Sequence, residues 1–453
     1  MSTIAAISTA QAGGGIGVIR ISGEDAAAVA DRVFSAADGV SLSVLPGYRA
    51  KFGHIVREGI VLDQCVALVF RAPHSYTGEN VVELSCHGGV FLLRQTLEAL
   101  FENGAVPAQA GEFTKRAYLN GKMDLTQAEA VMTLIGAQGE QAAAASAGAL
   151  EGALRVKIEE ILDRLTSCSA DMAAWVDYPD EEIPELEDEQ LIGTLLDIQR
   201  RLEALLNNYT QGQIILEGAD TVIAGRPNAG KSTLMNLLAG KEKSIVTHIA
   251  GTTRDIVEDT VHFGNVVLHL SDTAGIRESG DVIEAMGVSK ALERLETAQL
   301  IYAVFDSSED LAEEDWKLIE KCKNKAAIAV VNKTDLAHKA HLNFPDGAFS
   351  AVVHISAKTG EGRKALLEAT ERLLGTRDFN PSAAVLANER QRSCCKRALE
   401  CVSEAVQAAR AQMTRDAVNV SVDCAANCLL ELTGGRATEQ VVENIFSRFC
   451  VGK

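Results

Sequence analysis

The residues Gly225 to Ser232, GRPNAGKS, place two glycines, a lysine and a hydroxyl at the spacing G-x-x-x-x-G-K-S. This spacing suits phosphate chemistry. Glycines let backbone N–H groups curl around anionic oxygens at the positive end of a following helix. Lys231 then neutralises the outer phosphates, and the Ser232 hydroxyl is a ligand for magnesium. The flanking sequence has the texture that this requires, with the apolar run DTVIAG before the loop and the helical TLMNLLAG after it. Asn228, Ala229, Gly230 and Thr233 complete the phosphate-contacting stretch.

Further motifs follow in an order that reads as guanine-nucleotide hydrolysis. Thr252 and Thr253, in GTTRD, are placed to close over the terminal phosphate and magnesium. In Asp272-Thr273-Ala274-Gly275 the carboxylate belongs near the metal and the glycine near the γ-phosphate. In NKTD, Asn332 to Asp335 with Lys333, the Asp335 carboxylate can accept the two N–H donors on guanine's pyrimidine edge, a pattern adenine lacks. Ser356, Ala357 and Lys358 supply backbone N–H support for the base oxygen. One group is missing. The position after the D-x-x-G glycine, where many small GTPases carry a water-orienting glutamine, is Ile276. Hydrolysis therefore needs another arrangement.

These motifs must ride on a suitable frame. Between residues 220 and 375, apolar strands such as LIYAVFD and AAIAVVN alternate with helices, which predicts a doubly wound α/β sheet. Short β-like runs and glycine-rich turns before residue 120 predict an α+β domain. The Ala-, Leu-, Glu- and Gln-rich stretch from about 122 to 210, and the chain beyond 380, have helical spacing. An α/β cassette between two helical stretches reads as an insertion into one discontinuous helical domain. The resulting division is 1–121, 122–212, 213–377 and 378–453.

At 453 residues the chain is long enough for two to four domains, and 47% apolar with 23% charged residues is a globular balance. No basic leader precedes an apolar block, and no run approaches the length of a spanning helix, so a cytoplasmic protein with no membrane partner is expected. The net charge of −19 disfavours non-specific nucleic-acid binding, so any RNA contact needs a local basic patch or a partner. The ten cysteines form no C-x-x-C pair; Cys424 and Cys428 share a helix face, and free thiols are expected rather than a metal site. The chain ends in IFSRFCVGK, apolar anchors followed by Cys450 and Lys453, which reads as a tail made to dock. Cys450 is then either a chemical thiol or a small buried residue closing the last helix.

Beyond the nucleotide motifs, the chain resembles the tRNA-modification GTPase family MnmE, also called TrmE, over its whole length. The likeness rests on GGGIGVIRISG, SYTGENVVELSCHGG, GEFTKRAYLNGKMDLTQAEA, DYPDEEI and the terminal FCVGK. Ala110 departs from the proline usual there and is expected to alter a turn, not the chemistry. The resemblance implies modification of the wobble uridine of certain tRNAs at C5, adding an aminomethyl or carboxymethylaminomethyl group with a flavin (FAD) partner, GidA or MnmG. It implies a homodimeric N-terminal domain holding 5-formyltetrahydrofolate or a related derivative, a discontinuous helical domain and an inserted Ras-like P-loop domain.

Beside GTP and Mg2+, it implies K+ in place of an arginine finger, held by Asn228 and the loop Thr247, His248, Ile249, Ala250, Gly251 and Thr252. It assigns Glu284 to positioning the attacking water through a second water, and Arg20, Glu83, Lys122 and Lys453 to the folate. Two competing readings are a ribosome-assembly GTPase, which predicts a basic RNA-binding appendage, and a stand-alone folate-dependent methyltransferase with a GTPase switch.

Overall fold

The computed structural model describes residues 1–177, 188–240, 259–272, 294–337, 340 and 342–453. Two compact units emerge: Met1–Met132 with Arg155–Ile198 and Arg397–Lys453, and Thr133–Leu154 with Gln199–Lys396.

The first unit is built on seven strands, β1 (Ile4–Ile7), β2 (Ile16–Ser22), β3 (Phe34–Ala36), β4 (Arg49–Arg57), β5 (Ile60–Phe70), β6 (Val81–His87) and β7 (Val106–Pro107). Their order across the sheet is β3-β4-β5-β6-β2-β1-β7. Side chains alternate across a strand. In β2 this sends Ile19 and Ile21 into a core shared with Ala26, Val29, Leu93 and Leu100 of two helices. Arg20 is thereby turned to the opposite face, and the antiparallel register sets it directly across from Glu83 of β6.

The helical part of this unit follows a heptad-like stripe. Ile158, Ile161, Leu165, Cys168 and Met172 are buried along helix Ala153–Asp177, and Val418, Val422, Ala425, Leu429 and Leu432 along helix Arg415–Thr433. Spacing of three and four residues keeps each stripe on one face, as bundle packing requires.

The second unit contains the six-stranded sheet β13-β12-β11-β8-β10-β9. Its strands are β8 (Ala219–Gly225), β9 (Asp259–Phe263), β10 (Val266–Asp272), β11 (Leu300–Asp306), β12 (Ala327–Asn332) and β13 (Ala351–His354). Five are parallel, and β9 is the antiparallel edge. Both faces are covered, which is why the strands read as continuous apolar runs. In β11, Leu300, Tyr302 and Val304 pack on one side, while Ile301, Ala303 and Phe305 pack on the other. Later strands were added on both sides of β8, so a switch point lies between β8 and β11, where α/β sheets bind ligands beyond their strand ends. Among the described residues no helix is long and apolar enough to cross a membrane.

Candidate functional site

The phosphate-type loop leaves β8 at its carboxyl end and enters helix Lys231–Ala239. Its path needs positive φ three times, at Gly225 (157°), Asn228 (63°) and Gly230 (97°). A Cβ on Gly230 would run into the Asn332 side chain, and one on Gly225 into the Val304 carbonyl. Both positions therefore demand glycine for two reasons, backbone conformation and close approach. The helix N-terminus carries no side-chain cap, which leaves its N–H groups directed at an incoming anion. Lys231 lies across the loop, Nζ donating to the carbonyls of Gly225 (2.9 Å) and Arg226 (2.7 Å). Asn228, Ser232 and Thr233 are exposed at the loop mouth, whereas Ala229 is buried.

The residues expected to read the base lie at the ends of β12 and β13. Asn332, only 2% exposed, donates to the Ala229 carbonyl (3.0 Å) and accepts from the Ala357 amide (2.9 Å). One side chain thus ties the phosphate loop to the Ser356–Lys358 turn. The buried Ser356 hydroxyl donates to Asp335 Oδ1 (2.7 Å), and this bond holds the Asp335 carboxyl below its ordinary pKa. Asp335 itself is exposed, with a carboxylate oriented by a fixed neighbour. Lys333, at φ 67°, pairs with Asp306 at the end of β11 (2.5 Å). Burial works against ionisation of Asp306, but the bonds from Lys333 and Ser308 outweigh it and lower its pKa. Sequence reading missed Asp306, since nothing in its local motif marks it; only the parallel pairing of Asp306 with Asn332 brings it beside Lys333.

Of the other nucleotide residues, Asp272 ends β10, in line with the ends of β8 and β11. Thr247, His248, Ile249, Ala250, Gly251, Thr252, Thr253, Thr273, Ala274, Gly275 and Glu284 lie outside the described residues.

In the first unit, Arg20 and Glu83 form an ion pair at 2.8 Å, with side chains 16% and 22% exposed. The Arg20 guanidinium also sits over the rings of Tyr76 (5.3 Å) and Phe113 (5.6 Å). Its Nη1 is buried and has no hydrogen-bond partner among the described residues. Lys122 is exposed and donates to the Pro73 carbonyl, at the start of the loop that carries Tyr76. Tyr76 and Phe113 were absent from the expected set because their positions follow from loop and helix packing, not from a motif.

The terminal tail is docked. Phe446 and Phe449 are buried, with the Phe446 ring packed at a tilt against Tyr118 (6.2 Å) and Phe449 (5.2 Å). Val451 forms an antiparallel bridge with Ala110, the Gly452 carbonyl accepts from Ser8 Oγ (3.0 Å), and the Lys453 carbonyl accepts from the Phe113 amide (3.1 Å). Lys453 thus joins the residue that stacks on Arg20. Cys450 is exposed, which removes the reading of it as a buried space-filler. Cys401, Cys424 and Cys428 are free thiols, and Cys401 approaches the other two across two helices.

The chain is similar to known proteins over its whole length. The family model described as GTP-binding protein TrmE N-terminus covers residues 3–122, and the MnmE helical domain covers residues 125–450. The tRNA modification GTPase MnmE of Clostridioides difficile (strain 630) is 37% identical over 456 residues, spanning 100% of this chain and 99% of the relative. That of Symbiobacterium thermophilum is 40% identical over 455 residues, with the same coverage. Among solved structures, a variant of Aquifex aeolicus Era bound to GDP.AlF4- shares 26% identity over 41% of this chain and 67% of that one, at a TM-score of 0.27. With both family models in chain order and full-length relatives at 37% and 40% identity, the chain belongs to the tRNA modification GTPase family MnmE.

Proposed function

We propose that this protein hydrolyses GTP to drive C5 modification of the wobble uridine in certain tRNAs, together with a flavin-dependent partner of the GidA or MnmG kind and a folate one-carbon unit. The observation that carries the nucleotide half is the Asn332 side chain, which joins the phosphate loop to the turn beside Asp335. Loop N–H groups and Lys231 hold the phosphates, while Asp335 reads the pyrimidine edge of guanine. Ser232, in the first turn of the helix that follows β8, and Asp272, at the end of the neighbouring β10, are hard oxygen donors of the kind that suits magnesium. Asn228, exposed at the loop mouth, is an oxygen donor suited to potassium, with Thr247, Ile249 and Thr252 from the following loop. Cations there supply positive charge for phosphoryl transfer, in the place of an arginine finger. Glu284 is assigned to orienting the attacking water, a task that Ile276 cannot perform.

The folate half is supported by the orphaned Arg20 Nη1, a buried donor with no hydrogen-bond partner among the described residues. A tetrahydrofolate offers both carboxylates and carbonyl oxygens to such a donor. Glu83, Lys122 and Lys453 complete the proposed contacts, and exposed Cys450 is the proposed chemical thiol. A homodimer is supported by the same sheet face: Phe52 and Val66 are cross-strand partners, 53% and 40% exposed, in the row next to Glu83 and Arg20. The reading places the protein in the cytoplasm, with the division 1–121, 122–212, 213–377 and 378–453.

Mass analysis of wobble nucleosides in tRNA from cells lacking the protein tests the proposal. The expected result is loss of the C5 aminomethyl-type group, restored by the wild-type chain and not by Cys450→Ser. An unchanged nucleoside profile would exclude the tRNA role. Full restoration by Cys450→Ser would leave the tail as an anchor only.

A further inference from the structure

Helices Glu389–Arg410 and Arg415–Thr433 form an antiparallel hairpin, bridged by the Arg397–Glu431 ion pair at 2.8 Å. The hairpin carries Cys401 of the first helix to the level of Cys424 and Cys428, which lie one turn apart on the second. Among the described residues this is the group of three metal-capable side chains whose donor atoms all lie within 4.8 Å of one another. The Cys401 and Cys424 sulfurs are 2.7 Å apart and unbonded. Cys428 is buried, Cys401 is half-buried and Cys424 is exposed, so the cluster reaches solvent at Cys424.

We propose that Cys401, Cys424 and Cys428 form a three-thiolate site for a thiophilic cation of the zinc class. A zinc–sulfur bond of about 2.3 Å in tetrahedral geometry sets sulfurs about 3.8 Å apart, a separation compatible with this cluster after χ1 adjustment of Cys401 or Cys424. The solvent side beside Cys424 leaves a fourth position for water. Three thiolates favour soft ions over magnesium or calcium, and so keep this site chemically separate from the oxygen donors of the nucleotide loop. Binding exchanges three S–H bonds for three S–metal bonds and releases up to three protons to solvent, with no change of oxidation state. The thiols must ionise to bind a cation, so uptake strengthens as pH rises. A disulfide between Cys401 and Cys424 would leave the buried Cys428 sulfur without a role, whereas a cation uses all three. The ion would clamp the hairpin that leads into helix Glu439–Phe446 and the docked tail.

The test uses the reduced full-length protein, stripped by chelator and titrated with zinc against a competing chromophoric chelator, and in parallel with cobalt. The expected result is one zinc per chain and a sulfur-to-cobalt charge-transfer band. Loss of an outer partner alone weakens metal sites about 10–100-fold, so loss of the ligand in Cys424→Ser should weaken zinc by more than about 100-fold. Cys424 is exposed, so this variant should keep the wild-type helical circular dichroism. Cys424→His, which retains a ligand, should recover part of the affinity. Zinc affinity unchanged in Cys424→Ser, or no zinc held against the chelator, would overturn the proposal. So would a Cys401–Cys424 disulfide in peptide maps of protein that binds no zinc once reduced.

Discussion

Asp335, the proposed reader of the base, has a fixed neighbour. The buried Ser356 hydroxyl donates to one carboxylate oxygen, which orients the carboxylate in the absence of nucleotide. Asp335→Asn replaces an acceptor by a partial donor and should shift preference from GTP toward xanthosine triphosphate. Unchanged selectivity in a competition assay would remove Asp335 from base reading. Ser356 adds a pH signature. Its hydrogen bond lowers the folded pKa of Asp335, so the ionised acceptor persists below the ordinary carboxylate range and is lost only as pH falls through the lowered value. In Ser356→Ala the folded pKa moves back up toward the ordinary value, and guanine-nucleotide affinity should begin to fall at a higher pH than in wild type. Coincident affinity–pH curves for the two proteins would contradict this account.

At the scale of elements, the docked tail is an anchoring problem. Ordering a chain end has an entropic cost of about 1–2 kcal/mol per residue, which apolar contacts must offset. Phe446, 1% exposed, packs between Tyr118 and Phe449, and the bridge from Val451 to Ala110 follows from it. Phe446→Ala should destabilise the first unit by about 3–5 kcal/mol and speed removal of Lys453 by carboxypeptidase. A lower urea midpoint with unchanged carboxypeptidase kinetics would mean that Phe446 packs the helix without holding the tail. What was legible in the sequence divides along the same line. The nucleotide loop could be read because Gly225, Gly230, Lys231 and Ser232 act through a backbone path that eight consecutive residues determine. Docking of the tail was legible too, because its anchors stand next to it. Tyr76 and Phe113 could not be read, since they reach Arg20 only after a loop and a helix close over the sheet face. The three-thiol cluster escaped for a similar reason: the register of a helix hairpin, not the spacing of the cysteines, brings Cys401 to its partners.

The whole molecule has a net charge of −19, an unfavourable field for two copies to approach and for phosphate-rich RNA alike. Any catalytic device that works between two phosphate-bearing loops must therefore bring its own positive charge. An arginine finger would do so permanently, whereas a bound monovalent cation does so only when the proposed donors around Asn228 are assembled on nucleotide. Asn228 is exposed, so its side-chain oxygen is available to an ion of the right radius. Potassium and sodium carry the same charge but differ in size, so comparing them separates a fitted site from general screening. At matched ionic strength, potassium should raise the GTP hydrolysis rate well above sodium and promote pairing of the nucleotide domains, while GTP affinity changes little. Asn228→Ala should abolish the difference between the salts and leave the sodium rate in place. Equal rates of wild-type protein in potassium and sodium would refute the cation site, and would return the missing positive charge to a residue of the chain.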